Sequence, residues 1–158
     1  MNGKLIVLVG MPGSGKTTFA KNVLEDEDVV IISSDEIRLR LTGDESDQSQ
    51  NDEVFRIYYR EIRNYLLDGR NVVADSTNLR RQDRERLRQI AKDAASETHL
   101  IIFNNGIQAT IRNSQRERKV PDHTVLRMAE RLQSTLEGMT DEMVINEYNS
   151  VTYISSVE

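Results

Sequence analysis

The chain has 158 residues, 37% of them apolar and 30% charged, a length that suits one domain of ordinary size. It contains no cysteine and only two histidines, which excludes disulfide scaffolds, thiolate nucleophiles and Cys-ligated or His-rich metal clusters. Net charge is −5 and mean hydropathy −0.56, values of a folded chain with a very polar surface. No apolar run approaches the ~20 residues that cross a bilayer, and the apolar stretch Leu5 to Val9 is too short for a secretory signal. One cytoplasmic domain over residues 1–158 is expected.

Lys4 to Val9 is a β-branched apolar run ending at Gly10 and reads as a buried strand. A helix is predicted from Gly15 to Leu24, with Phe19, Ala20, Val23 and Leu24 at helical spacing. Val29 to Ile32 reads as a second strand, followed by a short helix over Asp35 to Leu41. Thr42 to Asn51 is polar and acidic, the composition of a mobile connector. From Asp52 the positions Val54, Ile57, Tyr58, Ile62, Tyr65 and Leu66 form the apolar stripe of an amphipathic helix that Gly69 stops. Asn71 to Ala74 is a third strand. Asp83 to Ala95 is a helix with Leu87, Ile90, Ala91 and Ala94 inward, and Leu100 to Phe103 a fourth strand. A helix over Ile107 to Gln115 follows. Pro121 then opens another, with Val125, Met128, Ala129, Leu132 and Leu136 as its stripe, and Val151 to Ile154 is a last short strand.

Apolar strands alternating with helices predict a parallel α/β sheet of four to five strands covered on both faces. Ligands of such sheets bind beyond the carboxyl ends of the strands. Residues directly after each strand should therefore converge: Gly10 to Thr18, Ser33 to Arg38, Asp75 to Asn78, and Arg112 to Lys119.

The first of these segments, Gly10-Met11-Pro12-Gly13-Ser14-Gly15-Lys16-Thr17, fits G-x-x-x-x-G-K-[ST] throughout. Chance supplies this pattern in under ~1% of chains of this length, and here it also lies between a strand and a helix. Gly13, Ser14, Gly15, Lys16, Thr17 and Thr18 would cradle the phosphates of ATP with backbone N–H groups. Lys16 would reach the β- and γ-phosphates, and the Thr17 hydroxyl would ligate Mg²⁺. The bland reading is a glycine-rich turn with no ligand. Asp75, ending a strand, would meet Mg²⁺ through a water; the alternative is a carboxylate capping the next turn. With Thr77, it would also lie on the acceptor side. Asp35 and Arg38 lie three residues apart on one helix face: a carboxylate to take a hydroxyl proton and a guanidinium to grip an anionic acceptor. A plain cap followed by a surface arginine is the alternative.

Charge is unevenly distributed. Residues 1–79 carry a net −5, residues 80–131 a net +5 and residues 132–158 a net −5. Arg112, Arg116, Arg118 and Lys119 place four basic groups in eight residues, as in a lid that closes over phosphates; an exposed basic turn is the alternative. The run Arg80, Arg81, Arg84, Arg86 and Arg88 is either a set of solvated helix faces or a surface for an acceptor strand.

The order of these elements resembles the P-loop kinases of the polynucleotide 5′-hydroxyl kinase group. The likeness rests on the Gly10–Thr18 loop, Ser34-Asp35-Glu36-Ile37-Arg38, Val73-Ala74-Asp75-Ser76-Thr77-Asn78-Leu79 and Arg112-Asn113-Ser114 through Val120-Pro121, and covers about residues 4–136. It implies that Lys16 and Thr17 bind ATP and Mg²⁺, that Asp35 is the general base and that Arg38 contacts the acceptor's phosphate. It also implies that lid residues Arg116 and Arg112 hold the ATP phosphates, Arg116 with a catalytic part. Asp75 matches the acid of the family's D-x-T-N element, but the bacteriophage member carries its acid one residue later, where this chain has Ser76. No phosphatase segment is expected in this chain. The same group includes kinases of hydroxymethyl-pyrimidine bases within DNA and of small-molecule alcohols. Arg38 and the basic middle block favour a nucleic-acid acceptor, DNA or RNA, with no membrane and no obligate protein partner. A polymer held by several basic groups would bind with steep salt dependence.

Overall fold

The computed structural model describes residues 2–24, 28–103 and 147–154. Five strands form one parallel sheet: β1 (Lys4–Val9), β2 (Val29–Ser33), β3 (Asn71–Asp75), β4 (Glu97–Phe103) and β5 (Ser150–Ile154), in the spatial order β2-β3-β1-β4-β5. The helices are α1 (Lys16–Phe19), which continues as a π-helical turn over Ala20–Leu24, α2 (Ser34–Thr42), α3 (Asn51–Leu67) and α4 (Arg81–Asp93). The predicted helices over 107–115 and from Pro121, and the lid with Arg112 and Arg116, lie outside the described residues.

Strand side chains alternate between the faces. Leu5, Val7, Val9, Val72, Ala74, Leu100 and Ile102 join Ile37 of α2, Val54, Tyr58, Ile62 and Leu66 of α3, and Leu87 and Ala91 of α4 in one core. On the opposite face Leu8, Val73 and Phe103 pack with Ala20, flanked by Phe19, whose ring meets Phe103 edge-on at 5.5 Å. Both faces of the sheet are thus covered by helix, as expected of near-continuous apolar strands.

Several predicted boundaries shift, each for a local reason. The first helix starts at Lys16 because Gly15, at φ 94°, is its left-handed cap. α2 starts at Ser34 because the Ser33 hydroxyl accepts the Glu36 N–H and caps it, so Asp35 sits inside the first turn. Along α3 the buried stripe includes Tyr59, while Tyr65, read as inward, is 37% exposed. The 42–51 connector is a series of turns: Thr42 Oγ1 donates to the Arg38 carbonyl, and Ser46 and Ser49 N–H groups donate to Asp44 and Asp47 carboxylates.

Two helices end in the same pair of hydrogen bonds. After α3 the Gly69 N–H reaches the Leu66 carbonyl and the Arg70 N–H the Tyr65 carbonyl, both at 3.0 Å. After α4 the Ala95 and Ser96 N–H groups reach Lys92 and Ala91. This motif requires a left-handed residue, Gly69 at φ 78° in one and Ala95 at φ 53° in the other. A methyl group is unfavourable there by about 1 kcal/mol. Ala95→Gly should therefore stabilise the protein by up to about 1 kcal/mol and Gly69→Ala destabilise it by a similar amount, read from urea unfolding midpoints.

Candidate active site

The site is built by strand register. Ser33 pairs with Asp75, Asp75 with Leu8 and Leu8 with Ile101, so β2, β3 and β1 end level along one edge. The connections also reverse direction there: β1 leads across β3 to β2, and β3 leads across β1 to β4. The crevice between β1 and β3 is the switch point where such sheets bind ligands. Two bonds close its floor: the Gly10 N–H donates to the Thr77 carbonyl at 3.0 Å, and Asn78 Nδ2 donates to the Leu8 carbonyl at 2.8 Å.

Asn78 is a part of this edge that sequence inspection left without a role. It is buried, at φ 47°, and its amide also reaches the Ala74 and Ser76 carbonyls while its Oδ1 accepts from the Tyr58 hydroxyl. Its side chain thus joins the ends of two strands. The Arg84 guanidinium is buried beneath, donating to the Asn78 and Leu79 carbonyls at 3.1 and 2.6 Å.

Along the glycine-rich loop the backbone leaves no room at Gly10, where a Cβ would lie 2.9 Å from both the Phe103 Cβ and Ser14 Oγ. Gly13 is also left-handed, at φ 81°. The Lys16 ammonium is buried within the loop and donates to the Gly10 and Met11 carbonyls at 2.8 and 2.7 Å. Ser14 is buried beside it; Thr18 is exposed on the first turn of α1.

Thr17 Oγ1 donates to Asp75 Oδ2 at 2.9 Å. The next residue, Ser76, accepts from the Ser34 hydroxyl at 3.1 Å instead. In this chain it is thus Asp75, not Ser76, that meets the loop hydroxyl. Burial pushes the Asp75 carboxyl above its ordinary value; the Lys16 ammonium and the Thr17 hydroxyl pull it back, and Asp35 and Glu36 add to the rise. A hydroxyl and a carboxylate oxygen form a hard donor set that fits Mg²⁺. Among the described residues no three acidic or histidine side chains gather round a point.

On the β2 side, Arg38 Nη1 donates to Asp35 Oδ1 at 2.8 Å. Arg38 is buried and the Asp35 side chain is 48% exposed, an accessible carboxylate on a fixed guanidinium. Thr77 contributes its carbonyl to the floor. The α4 arginines are engaged within the fold: Arg80 with Asp83, Arg81 with Glu147, Arg88 with Glu85, and Arg86 4.4 Å over the Tyr59 ring.

A family model described as an AAA domain matches residues 5–135, and the chain belongs to that family. Its fold is that of the P-loop kinases, the class to which the sequence motifs pointed. A chain of the Pnkp1/Rnl/Hen1 RNA repair complex is similar, with TM-score 0.77 and 22% identity over 88% of this chain and 47% of that one. This chain thus spans about half the length of that protein. Kti12 of Chaetomium thermophilum in complex with ADP-AlF3 is similar with TM-score 0.71 and 18% identity, over 96% of this chain and 88% of that one. A gluconokinase from Sinorhizobium meliloti 1021 gives TM-score 0.56 and 20% identity, over 99% and 84%. At these identities the likeness is one of fold. No helix among the described residues is long and apolar enough to cross a membrane.

The Asp75 environment has a measurable consequence. Its folded-state pKa lies above the unfolded value, so the folded chain holds that proton more tightly. Stability from this group then falls as pH rises through the window between the two values and stays lowered above it. Asp75→Asn removes the charge and keeps an oxygen for Thr17. It should unfold at a higher temperature than the parent at pH 7, with the gap narrowing as pH approaches 4. Thermal melts across that range measure this, and equal midpoints at pH 7 would mean that Lys16 and Thr17 fully offset the burial.

Proposed function

We propose that this chain transfers the γ-phosphoryl group of ATP to a nucleic-acid hydroxyl, with the 5′-hydroxyl end of a polynucleotide as acceptor. The observation that carries the reading is the Asp35–Arg38 pair, standing on the same strand-end edge as the Thr17–Asp75 bond. A nucleotide whose phosphates lie in the glycine-rich loop would have its γ-phosphorus facing the β2 end, where Asp35 is half-buried. Thr17, with Asp75 through a water, would hold Mg²⁺, which when bound draws charge from the β- and γ-phosphates.

The residues then divide the work. Lys16 leaves the loop carbonyls for phosphate oxygens, a stronger, charge-assisted partner. Asp35 accepts the acceptor's hydroxyl proton as that oxygen bonds to the γ-phosphorus and the bond from phosphorus to the β–γ bridging oxygen breaks, leaving ADP. Arg38 holds an anionic group of the acceptor. From the lid segment, Arg116 and Arg112 would neutralise the phosphates in transfer, a role inferred from the resemblance alone.

Arg38 and the likeness to a chain of an RNA repair complex support a nucleic-acid acceptor. Of the Arg80–Arg88 run, Arg84 is committed to backbone carbonyls inside the fold, whereas Arg80 and Arg81 are exposed ion pairs that a phosphate backbone would compete for. A small-molecule alcohol is the second reading, favoured by the fold shared with a gluconokinase.

Transfer of labelled γ-phosphate from ATP to an oligonucleotide with a free 5′-hydroxyl tests the reading, with the 5′-phosphorylated oligonucleotide as control. Label should appear on the free end only. Asp35→Asn should lower kcat by about 10²–10⁴ while ATP KM stays unchanged; a loss of ATP binding instead would remove Asp35 from the base role. Arg38→Gln should raise acceptor KM far more than ATP KM. Labelling of gluconate-type alcohols but not of oligonucleotides would establish the second reading.

A further inference from the structure

Arg38 is held from two sides. Asp35 takes one Nη1 hydrogen, and the Glu45 carbonyl lies 3.5 Å from the same nitrogen. On the other side a single oxygen, Asn51 Oδ1, accepts from both Nη2 at 3.0 Å and Nε at 3.3 Å. The Asn51 amide is oriented in turn: its Nδ2 donates to Gln48 Oε1 at 2.8 Å. Asn51 is the first residue of α3, a helix anchored in the core through Val54, Tyr58, Ile62 and Leu66, so its backbone is held by the fold.

The chemistry of the Asn51 oxygen matters more than its geometry. A carboxylate is the usual partner of a buried guanidinium presented in this way, and this site already has one in Asp35. A second in direct contact, beside Asp35 and with Asp47 also acting on Arg38, would add negative charge at the guanidinium, disfavouring an incoming anion and competing with Asp35 for it. An amide oxygen offers the same two contacts without charge.

We propose that Asn51 is a positioning residue for acceptor selection: its uncharged oxygen orients Arg38 while leaving the guanidinium's charge to be shared between Asp35 and a phosphate of the acceptor. This rests on the acceptor role of Arg38 given above. The preference for a phosphate-bearing acceptor belongs to Arg38, and Asn51 sets how the guanidinium is presented to it.

The test uses two probes, thymidine 3′-monophosphate and thymidine, which share the 5′-hydroxyl and differ by one phosphate. Calorimetric titration is done on the parent protein, Asn51→Asp, Asn51→Ala and Arg38→Gln, with thermal melts as a check on folding. Asn51→Asp, isosteric and able to keep both contacts, should melt no lower than the parent yet bind the monophosphate at least about tenfold more weakly, with thymidine affinity within about twofold. In turnover it should raise oligonucleotide KM and leave ATP KM alone. Asn51→Ala should weaken the monophosphate less than Asn51→Asp does, since it removes the hold without adding charge. If Arg38→Gln weakens the monophosphate and Asn51→Asp does not, or if Asn51→Asp weakens both probes equally, the role of Asn51 is overturned and the acceptor reading stands. If Arg38→Gln leaves both probes unchanged, or the parent does not discriminate between them, the acceptor reading of Arg38 falls and this inference with it.

Discussion

The level ending of three parallel strands is the constraint from which the site follows. Ser33, Asp75 and Leu8 are register partners across the sheet, so the chain leaves β2, β3 and β1 at one height. A slip of one residue in β3 would turn Asp75 to the opposite face and separate it from Thr17. The register is protected because both faces are buried: such a slip would also carry Val72, Val73 and Ala74 out of the cores they fill. Backbone pairing and apolar burial thus position a hydrogen bond between residues 58 apart in sequence.

Burying charge at that edge has a cost, and the arrangement shows how it is limited. Asp75 is nearly fully buried, which disfavours its ionised form; the Lys16 ammonium and the Thr17 hydroxyl oppose that, while Asp35 and Glu36 reinforce it. Lys16 itself is buried, compensated by loop carbonyls. Positive and negative groups are held near one another without a direct bond between Lys16 and Asp75 in the hydrogen-bond network. Such a layout stores binding potential for a phosphate chain and a divalent cation, which would satisfy both at once.

The β2 end of the edge follows a different logic. Asp35 and Arg38 share one helix turn, but the guanidinium is also held by Asn51, thirteen residues on, through the hydrogen-bonded 42–51 turns. The polar composition of that connector reflects its local hydrogen bonding, and its acidic groups are partly used to bind backbone N–H groups. The α4 arginines carry a similar lesson. A high density of arginine in sequence became ion pairs, a ring contact and a buried clamp on the Asn78 and Leu79 carbonyls, because carboxylates and carbonyls lie within reach at helical spacing or across the fold.

The amino-acid sequence by itself determined the parallel α/β class, the glycine-rich loop between strand and helix, and the helices whose apolar residues recur at regular spacing. These are local or periodic properties: Val54, Tyr58, Ile62 and Leu66 mark one face of a helix wherever it packs. It also singled out Lys16 and Thr17 through the glycine-rich pattern, and Asp35, Arg38 and Asp75 through their places at or shortly after a strand. Only the tertiary structure decided that Thr17 meets Asp75 while Ser76 turns to Ser34, that Arg38 is gripped by Asn51, and that Asn78 joins β1 to β3. Each of those contacts spans at least thirteen residues of sequence or depends on strand order. Adjacency across a parallel sheet has no periodic signature along the chain, because non-consecutive strands become neighbours only when the sheet assembles.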